Sequence, residues 1–106
     1  TLTMTTYKYI QDPGHGWVRV PLAEIRELGL VPSHYSYMDR EWVYLEEDCD
    51  APAWMRAREA AGRPVAREML HEVHQNHESK IRDMARYEPR LAAQTMARVL
   101  KAVGAP

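Results

Sequence analysis

The residues best suited to chemistry are four acids that follow the run Trp42–Leu45. They are Glu46, Glu47, Asp48 and Asp50, and together they are called the acidic turn. The run before them is rich in strand-favouring residues, and Asp50 with Pro52 is typical of a helix start. Carboxylates at this position interact favourably with the helix N-terminus, which is the stronger interpretation, and they could also mimic phosphates for a basic partner. A calcium loop is excluded because its glycine and its distal glutamate are missing. We predict that the acidic turn binds a partner.

Other candidate catalytic groups lack the partners that chemistry requires. Cys49 lies at the predicted helix N-terminus, which favours the thiolate, but the neighbouring acids disfavour it and no base is evident. The histidines His71, His74 and His77 would spread around a helix, and they lack the spacing of zinc-protease ligands. We therefore predict no catalytic residue, no metal and no cofactor. The sequence leaves enzyme activity open while leaning against it.

A repeated order of residues predicts how the acidic turn is positioned. Residues 7–20 and 35–45 both read Tyr-x-Tyr-apolar, a turn, and Trp-Val-x-apolar, and both are followed by a proline near a helix start. We interpret the chain as α+β, with an antiparallel sheet built from two ββα units and helices packed on it. The predicted single domain of residues 1–106 comprises units at about 5–29 and 34–62, an ambiguous segment at 63–87 and a C-terminal helix at 89–103.

The segment 63–87 allows two interpretations. Apolar residues at helical spacing favour a helix, whereas Gly62 and Pro64 favour a break followed by a fifth strand and a polar loop. We lean slightly towards the strand and loop.

Strand alternation then sorts side chains between the two faces of the sheet. The face predicted to lie under the helices holds Ile10, Val18, Val20, Met38, Val43 and Leu45. The opposite, aromatic face is predicted to hold Tyr7, Tyr9, Trp17, Tyr35, Tyr37, Trp42 and Tyr44, with Arg19 among them. Most of the aromatic residues of the chain would thus share one face.

The aromatic face has three interpretations. The C-terminal helix could cover it as a second core layer. It could instead form a protein or dimer interface, and the predicted anchors are Tyr9, Trp17, Tyr37 and Trp42. Finally, it could stack the bases of a single-stranded nucleic acid, with flanking cations at Lys80, Arg82, Arg86 and Arg90.

Composition limits these choices. The chain has 106 residues, of which 45% are hydrophobic and 27% charged, and its net charge of −1 argues against a protein that tracks phosphates. A single cysteine cannot form an internal disulfide, which fits a reducing compartment. No apolar run approaches the roughly 20 residues of a membrane span. The sequence predicts a cytoplasmic protein without membrane contact and leaves homo-oligomers open.

Four motifs resemble small uncharacterised proteins carried by bacteriophages and prophages. They are Gly14-His15-Gly16-Trp17, Tyr35-Ser36-Tyr37, Tyr44-Leu45-Glu46-Glu47-Asp48-Cys49-Asp50 and Ser79-Lys80-Ile81-Arg82. The resemblance covers residues 7–87 and implies a phage context in the host cytoplasm. It implies no catalytic residues. We therefore expect a non-enzymatic phage-type protein that binds a host or defence-system protein, with a single-stranded nucleic-acid-binding module as the alternative.

Overall fold

A computed structural model describes residues 5–104, which form strands and helices. The strands are β1 Tyr7–Gln11, β2 Gly16–Pro21, β3 Tyr37–Asp39, β4 Trp42–Glu46, β5 Leu70–His74 and β6 Ala85–Arg86. The helices are α1 Leu22–Glu27, α2 Asp50–Ala60 and α3 Pro89–Ala102, and short 3-10 turns cover Arg67–Met69 and Lys80–Asp83. No helix in this described part of the chain is long and apolar enough to cross a membrane.

The strands form one mixed sheet in the order β5-β1-β2-β4-β3-β6. The α+β class and the C-terminal helix are confirmed. The prediction of a wholly antiparallel sheet is wrong, because β5 pairs in parallel with β1, from Tyr7 opposite Leu70 to Gln11 opposite His74. A parallel neighbour requires a long crossover, and here the chain passes through α2 before it returns to the edge of β1. The segment 63–87 therefore contains two edge strands and no α-helix.

Proline and glycine mark the helix ends because they restrict or extend the backbone choices there. Pro21 immediately precedes α1, and Pro89 is the first residue of α3, where a missing N–H costs no hydrogen bond. Gly29 follows α1 with a φ of 67°, a left-handed conformation that side chains disfavour.

The predicted sorting of side chains holds for the central strands and fails for β1. Trp17, Tyr37, Trp42 and Tyr44 lie on one face with Arg19. Tyr7 and Tyr9 pack instead with the helix-side core, and Ile10 packs with the aromatic cluster. Tyr35 precedes β3 and is largely exposed.

The physical reason is the register of the first hairpin. Tyr9 lies opposite Val18, whereas Tyr37 lies opposite Tyr44, and opposed residues share a face. The loop sets that register, because the Asp12 carboxylate accepts hydrogen bonds from the N–H groups of Gly14 and His15. Alternation alone could not reveal it.

The three helices cover the same side of the sheet. Leu22 and Ile25 of α1 and Trp54 of α2 are fully buried there, and Ala92 of α3 joins the same core. The interpretation that α3 covers the aromatic face is therefore wrong.

A polar network lies within this helix-side core. Glu24 accepts hydrogen bonds from the Tyr7 hydroxyl at 2.5 Å, from Trp54 Nε1 at 2.6 Å and from Arg58 Nη1 at 3.1 Å. Arg58 also donates to the Tyr7 hydroxyl and to the carbonyl of Arg63. Burial, followed by the hydrogen bond to Glu24, raises the pKa of Tyr7 to about 12. The network joins β1, α1 and α2.

Candidate binding site

The aromatic face is covered by the segment that follows β5. Ile81 packs against Trp17, Tyr37 and Tyr44 as a second, smaller core, and Met84 packs at its edge. Trp17 is only 3% exposed, and it meets Tyr37 edge to face with 6.2 Å between ring centroids. These rings are therefore closed to base stacking over most of their surface.

A buried ion pair fixes that covering segment. Asp12 Oδ2 accepts from Arg82 Nε at 2.8 Å and from the N–H of Ser79 at 2.9 Å, and Oδ1 accepts from Arg82 Nη2 at 2.9 Å. The hydrogen bond from Arg82 is the main reason that the pKa of Asp12 is held well below its usual range. The first hairpin loop thus positions residues 79–84.

A pocket of about 540 Å³ opens at the end of the sheet where β4 ends and β2 begins. It is lined by His15, Gly16, Trp17, Tyr35, Tyr37, Glu46, Glu47, Asp48, Cys49, Arg82 and Arg86. Its volume is within the range of small-molecule and peptide-side-chain sites. The pocket combines aromatic edges with carboxylates and guanidinium groups.

Glu46 lines this pocket but also caps α2. Its Oε1 accepts from the N–H groups of Cys49 and Asp50, and its Oε2 accepts from the N–H of Asp48 at 2.9 Å. A carboxylate here satisfies amides that the helix leaves unpaired and interacts favourably with its dipole. Much of the charge of Glu46 is therefore used within the fold.

Asp50 is also committed to the fold. It is buried, and its Oδ2 accepts from the Ser33 N–H and hydroxyl and from the Ser36 hydroxyl. Ser36 in turn accepts from the N–H of Glu46. Asp50 holds the loop before β3 against α2 and does not line the pocket.

Glu47 and Asp48 are the carboxylates of the acidic turn with the fewest internal bonds. Glu47 Oε2 accepts from the Tyr9 hydroxyl at 3.0 Å, and its second carboxylate oxygen accepts no hydrogen bond within residues 5–104. Asp48 is exposed. Burial and the hydrogen bond to Glu47 raise the pKa of Tyr9.

Cys49 lies exposed at the edge of the pocket. The negative charge of Glu46, with smaller contributions from burial and from Asp50 and Asp48, raises the pKa of the thiol. A thiol that remains protonated is a poor nucleophile. The pocket geometry gives no support to catalysis through this residue.

The two arginines of the pocket are held by other groups. Arg82 is paired with Asp12, while the Arg86 guanidinium lies 4.3 Å from the centroid of Tyr37 and donates to the carbonyls of His34 and Tyr35. Such stacking fixes an arginine without neutralising it.

Seven residues predicted for different surfaces meet in this one pocket. They are Trp17, Tyr37, Glu46, Glu47 and Asp48 of the predicted protein interface and Arg82 and Arg86 of the nucleic-acid alternative. The remaining predicted site residues Tyr9, Trp42, Asp50, Lys80 and Arg90 do not line it. Trp42 instead lies under Arg19, whose Cζ is 4.1 Å from the ring.

Gly16, His15 and Cys49 also line the pocket, and none of them is predicted from the sequence to belong to it. The turn pattern around Gly14 and Gly16 was the available signal, since glycines permit close approach of other groups. A Cβ on Gly16 would lie 2.7 Å from Glu47 Oε2. Within residues 5–104, no group of three His, Cys, Asp or Glu side chains is placed to hold a metal.

Comparisons with protein-family models, with curated proteins and with solved structures found no match to this chain. The function is therefore argued from the geometry of the pocket.

Proposed function

We propose that the chain is a small non-enzymatic protein that binds another protein through the pocket at the acidic turn. The supporting observation is the convergence of buried aromatic rings with the exposed Asp48 and the half-buried Glu46 and Glu47 in a single concave site. Interfaces favour aromatic and arginine anchors set within a polar rim. A phage-type role against a host or defence-system protein is supported by the resemblance of the run Tyr44–Asp50, of which Glu46, Glu47, Asp48 and Cys49 line this pocket.

A single-stranded nucleic acid is the less favoured ligand. Trp17 and Tyr37 are buried, so they offer edges instead of open stacking faces. Arg82 is already paired with Asp12, and carboxylates at the pocket would repel phosphates. Titration with single-stranded oligonucleotides at two salt concentrations tests this choice, and saturable binding that weakens with salt would favour nucleic acid instead.

Cys49 permits a test at the pocket itself, because the chain has one cysteine. Benzophenone maleimide on this thiol should crosslink a bacterial protein that enters the pocket. The partner, identified by mass spectrometry, is then purified and must form the same adduct alone. Labelling should be slower than for an ordinary thiol because the thiol pKa is raised.

The matched control moves the label to the other end of α2. Cys49→Ser with Ala60→Cys keeps one thiol and carries the photolabel roughly 15 Å away along the helix. The adduct should form from Cys49 alone and disappear in Glu47→Lys with Asp48→Lys. Equal adducts from both positions, or no adduct with any host protein, would contradict the proposal.

A further inference from the structure

We propose that the pocket takes a lysine or arginine side chain from a basic segment of the partner protein. This inference rests on the proposed function and names the chemistry that the partner must present. The occupant is a polypeptide cation with an apolar stem. Free polyamines and anionic ligands are the alternatives that titration with peptides and putrescine separates.

The charge of the pocket supports a cation. Three carboxylates and two arginines line it, which gives −1, and Asp12 bonded to Arg82 lowers the sum to −2. His15 also lies at the lining. The same negative surroundings raise the pKa of Cys49, chiefly through the charge of Glu46. Glu47 and Asp48 are the groups left to pair with an incoming charge.

The apolar part of the pocket supports a long side chain over a bare ion. Trp17 and Tyr37 line the same cavity as the carboxylates, and Tyr35 is 58% exposed beside them. Lysine and arginine can lay their methylene stems along such surfaces and keep the charged end near water. A metal ion would use only the carboxylates, and Glu46 already accepts from three backbone amides.

Arg86 is a pocket residue whose charge has the opposite sign to that of the carboxylates. Its guanidinium stacks on Tyr37 at the same pocket and carries a full positive charge. It should repel a bound cation, and an anionic ligand should depend on it. Removing its charge therefore separates the two ligand classes by the direction of the effect.

The probes are capped tripeptides that differ only at the central residue. Acetyl-Gly-Lys-Gly-amide and its arginine, norleucine and glutamate counterparts are titrated into the full chain, followed by amide and indole shifts in NMR spectra. We expect the lysine and arginine peptides to shift the Trp17 indole and to bind about tenfold more tightly than norleucine. Higher salt should weaken only the cationic peptides.

The variants remove one charge at a time. Glu47→Gln keeps an acceptor for the Tyr9 hydroxyl, and we expect it to weaken lysine binding about fivefold, as should Asp48→Asn. Arg86→Gln should strengthen it a few fold. Glu59→Gln, on exposed α2 surface distant from the pocket, is the matched control and should change nothing. Thermal melts show that each variant is folded.

Three results would overturn the inference. Equal affinity for the norleucine and lysine peptides removes the role of charge, although crosslinking from Cys49 could still show a partner. Tighter binding of the glutamate peptide, lost in Arg86→Gln, would assign the pocket to anions. Putrescine that binds as tightly as the lysine peptide would assign it to a free polyamine.

Discussion

The protein has two arginine–carboxylate pairs, one on each face of the sheet, and they have different roles. Glu24 and Arg58 lie beneath the helices, with side chains that are 15% and 8% exposed. Both Glu24 oxygens and two of the Arg58 nitrogens are hydrogen-bonded to neighbouring groups. Asp12 and Arg82 lie on the aromatic side, where the Asp12 side chain is fully buried but that of Arg82 is 29% exposed and lines a pocket. The same chemistry stabilises a core in one place and shapes a surface in the other.

The difference in exposure between the two pairs indicates where a binding site can be built with little loss of folding stability. The helix-side pair is surrounded by Tyr7 and Trp54, so a change there leaves several polar groups without partners. The aromatic-side pair ends at solvent, which can replace part of what is lost. We therefore expect stability and binding to separate between the two faces.

The largest effect is expected for Glu24→Ala. It leaves the Arg58 charge buried and removes the acceptor of Tyr7 and Trp54, which should cost about 3–5 kcal/mol of unfolding free energy. Urea denaturation measures it. Glu27→Ala removes the exposed pair with Arg63 and should cost less than about 1 kcal/mol. Equal losses in the two variants would contradict the role of the network.

Asp12→Ala should cost less but also alter binding. The N–H groups of Gly14, His15 and Ser79 lose their acceptor, and the free energy of unfolding should fall by about 2–3 kcal/mol in total. The loss is smaller than for Glu24→Ala because the Arg82 side chain can turn to water. Urea denaturation and the lysine-peptide titration together test this. Unchanged peptide affinity in the folded variant would show that the pair does not shape the pocket.

Gly16→Ala should affect the pocket more than the fold. The new Cβ would lie 2.7 Å from Glu47 Oε2, which can move, and 2.8 Å from Tyr9 Cε1, whose ring packs against the helix-side core and must shift. The stability loss should therefore be about 1–2 kcal/mol. Lysine-peptide binding should weaken. Gly29→Ala should lose about 1–2 kcal/mol through its positive φ and leave binding intact.

The pH dependence of the free energy of unfolding should distinguish the two faces of the sheet without any substitution. Neither group should change stability near neutral pH. The pKa of Asp12 is lower in the folded state than its unfolded value of about 3.9. Its contribution to stability is therefore present above that pH and is lost as the pH falls below it. Because the pKa of Tyr7 is raised from 10.0 to about 12, its contribution is lost as pH rises between those values. Urea denaturation across pH measures both.

Single substitutions assign each limb of that pH profile. Asp12→Asn should flatten the acid limb, and Tyr7→Phe should flatten the alkaline limb. If either variant keeps the wild-type slope in its own range, the corresponding group is not the cause.

The local parts of the fold were predictable from the sequence. Helix starts and ends follow from Pro21, Pro89 and Gly29, since proline and glycine act through their own backbones. The faces of β2 and β4 follow from alternation. The acidic turn was recognised because its residues are contiguous, although the internal roles of Glu46 and Asp50 required knowledge of which amides and hydroxyls surround them.

The pairings between distant residues were not predictable. Arg82 donates a hydrogen bond to Asp12 although most of the sequence separates the two residues. No local sequence pattern connects them. The two residues of β6 are too few to show a period, and the parallel pairing of β5 depends on where the chain returns after α2. The pocket is formed by residues from these distant segments. Its set of lining residues therefore could not be predicted without the three-dimensional structure.

The outermost strands have a consequence for biosynthesis. Residues 7–46 supply the four inner strands, but β1 and β3 gain their outer neighbours only when residues 70–86 have left the ribosome. Until then both strands expose unpaired amides and carbonyls that invite association between nascent chains. Arg82 and Arg86 arrive in the same late segment, so a chain that stalls before residue 79 would carry the acidic turn without the opposite wall of its pocket.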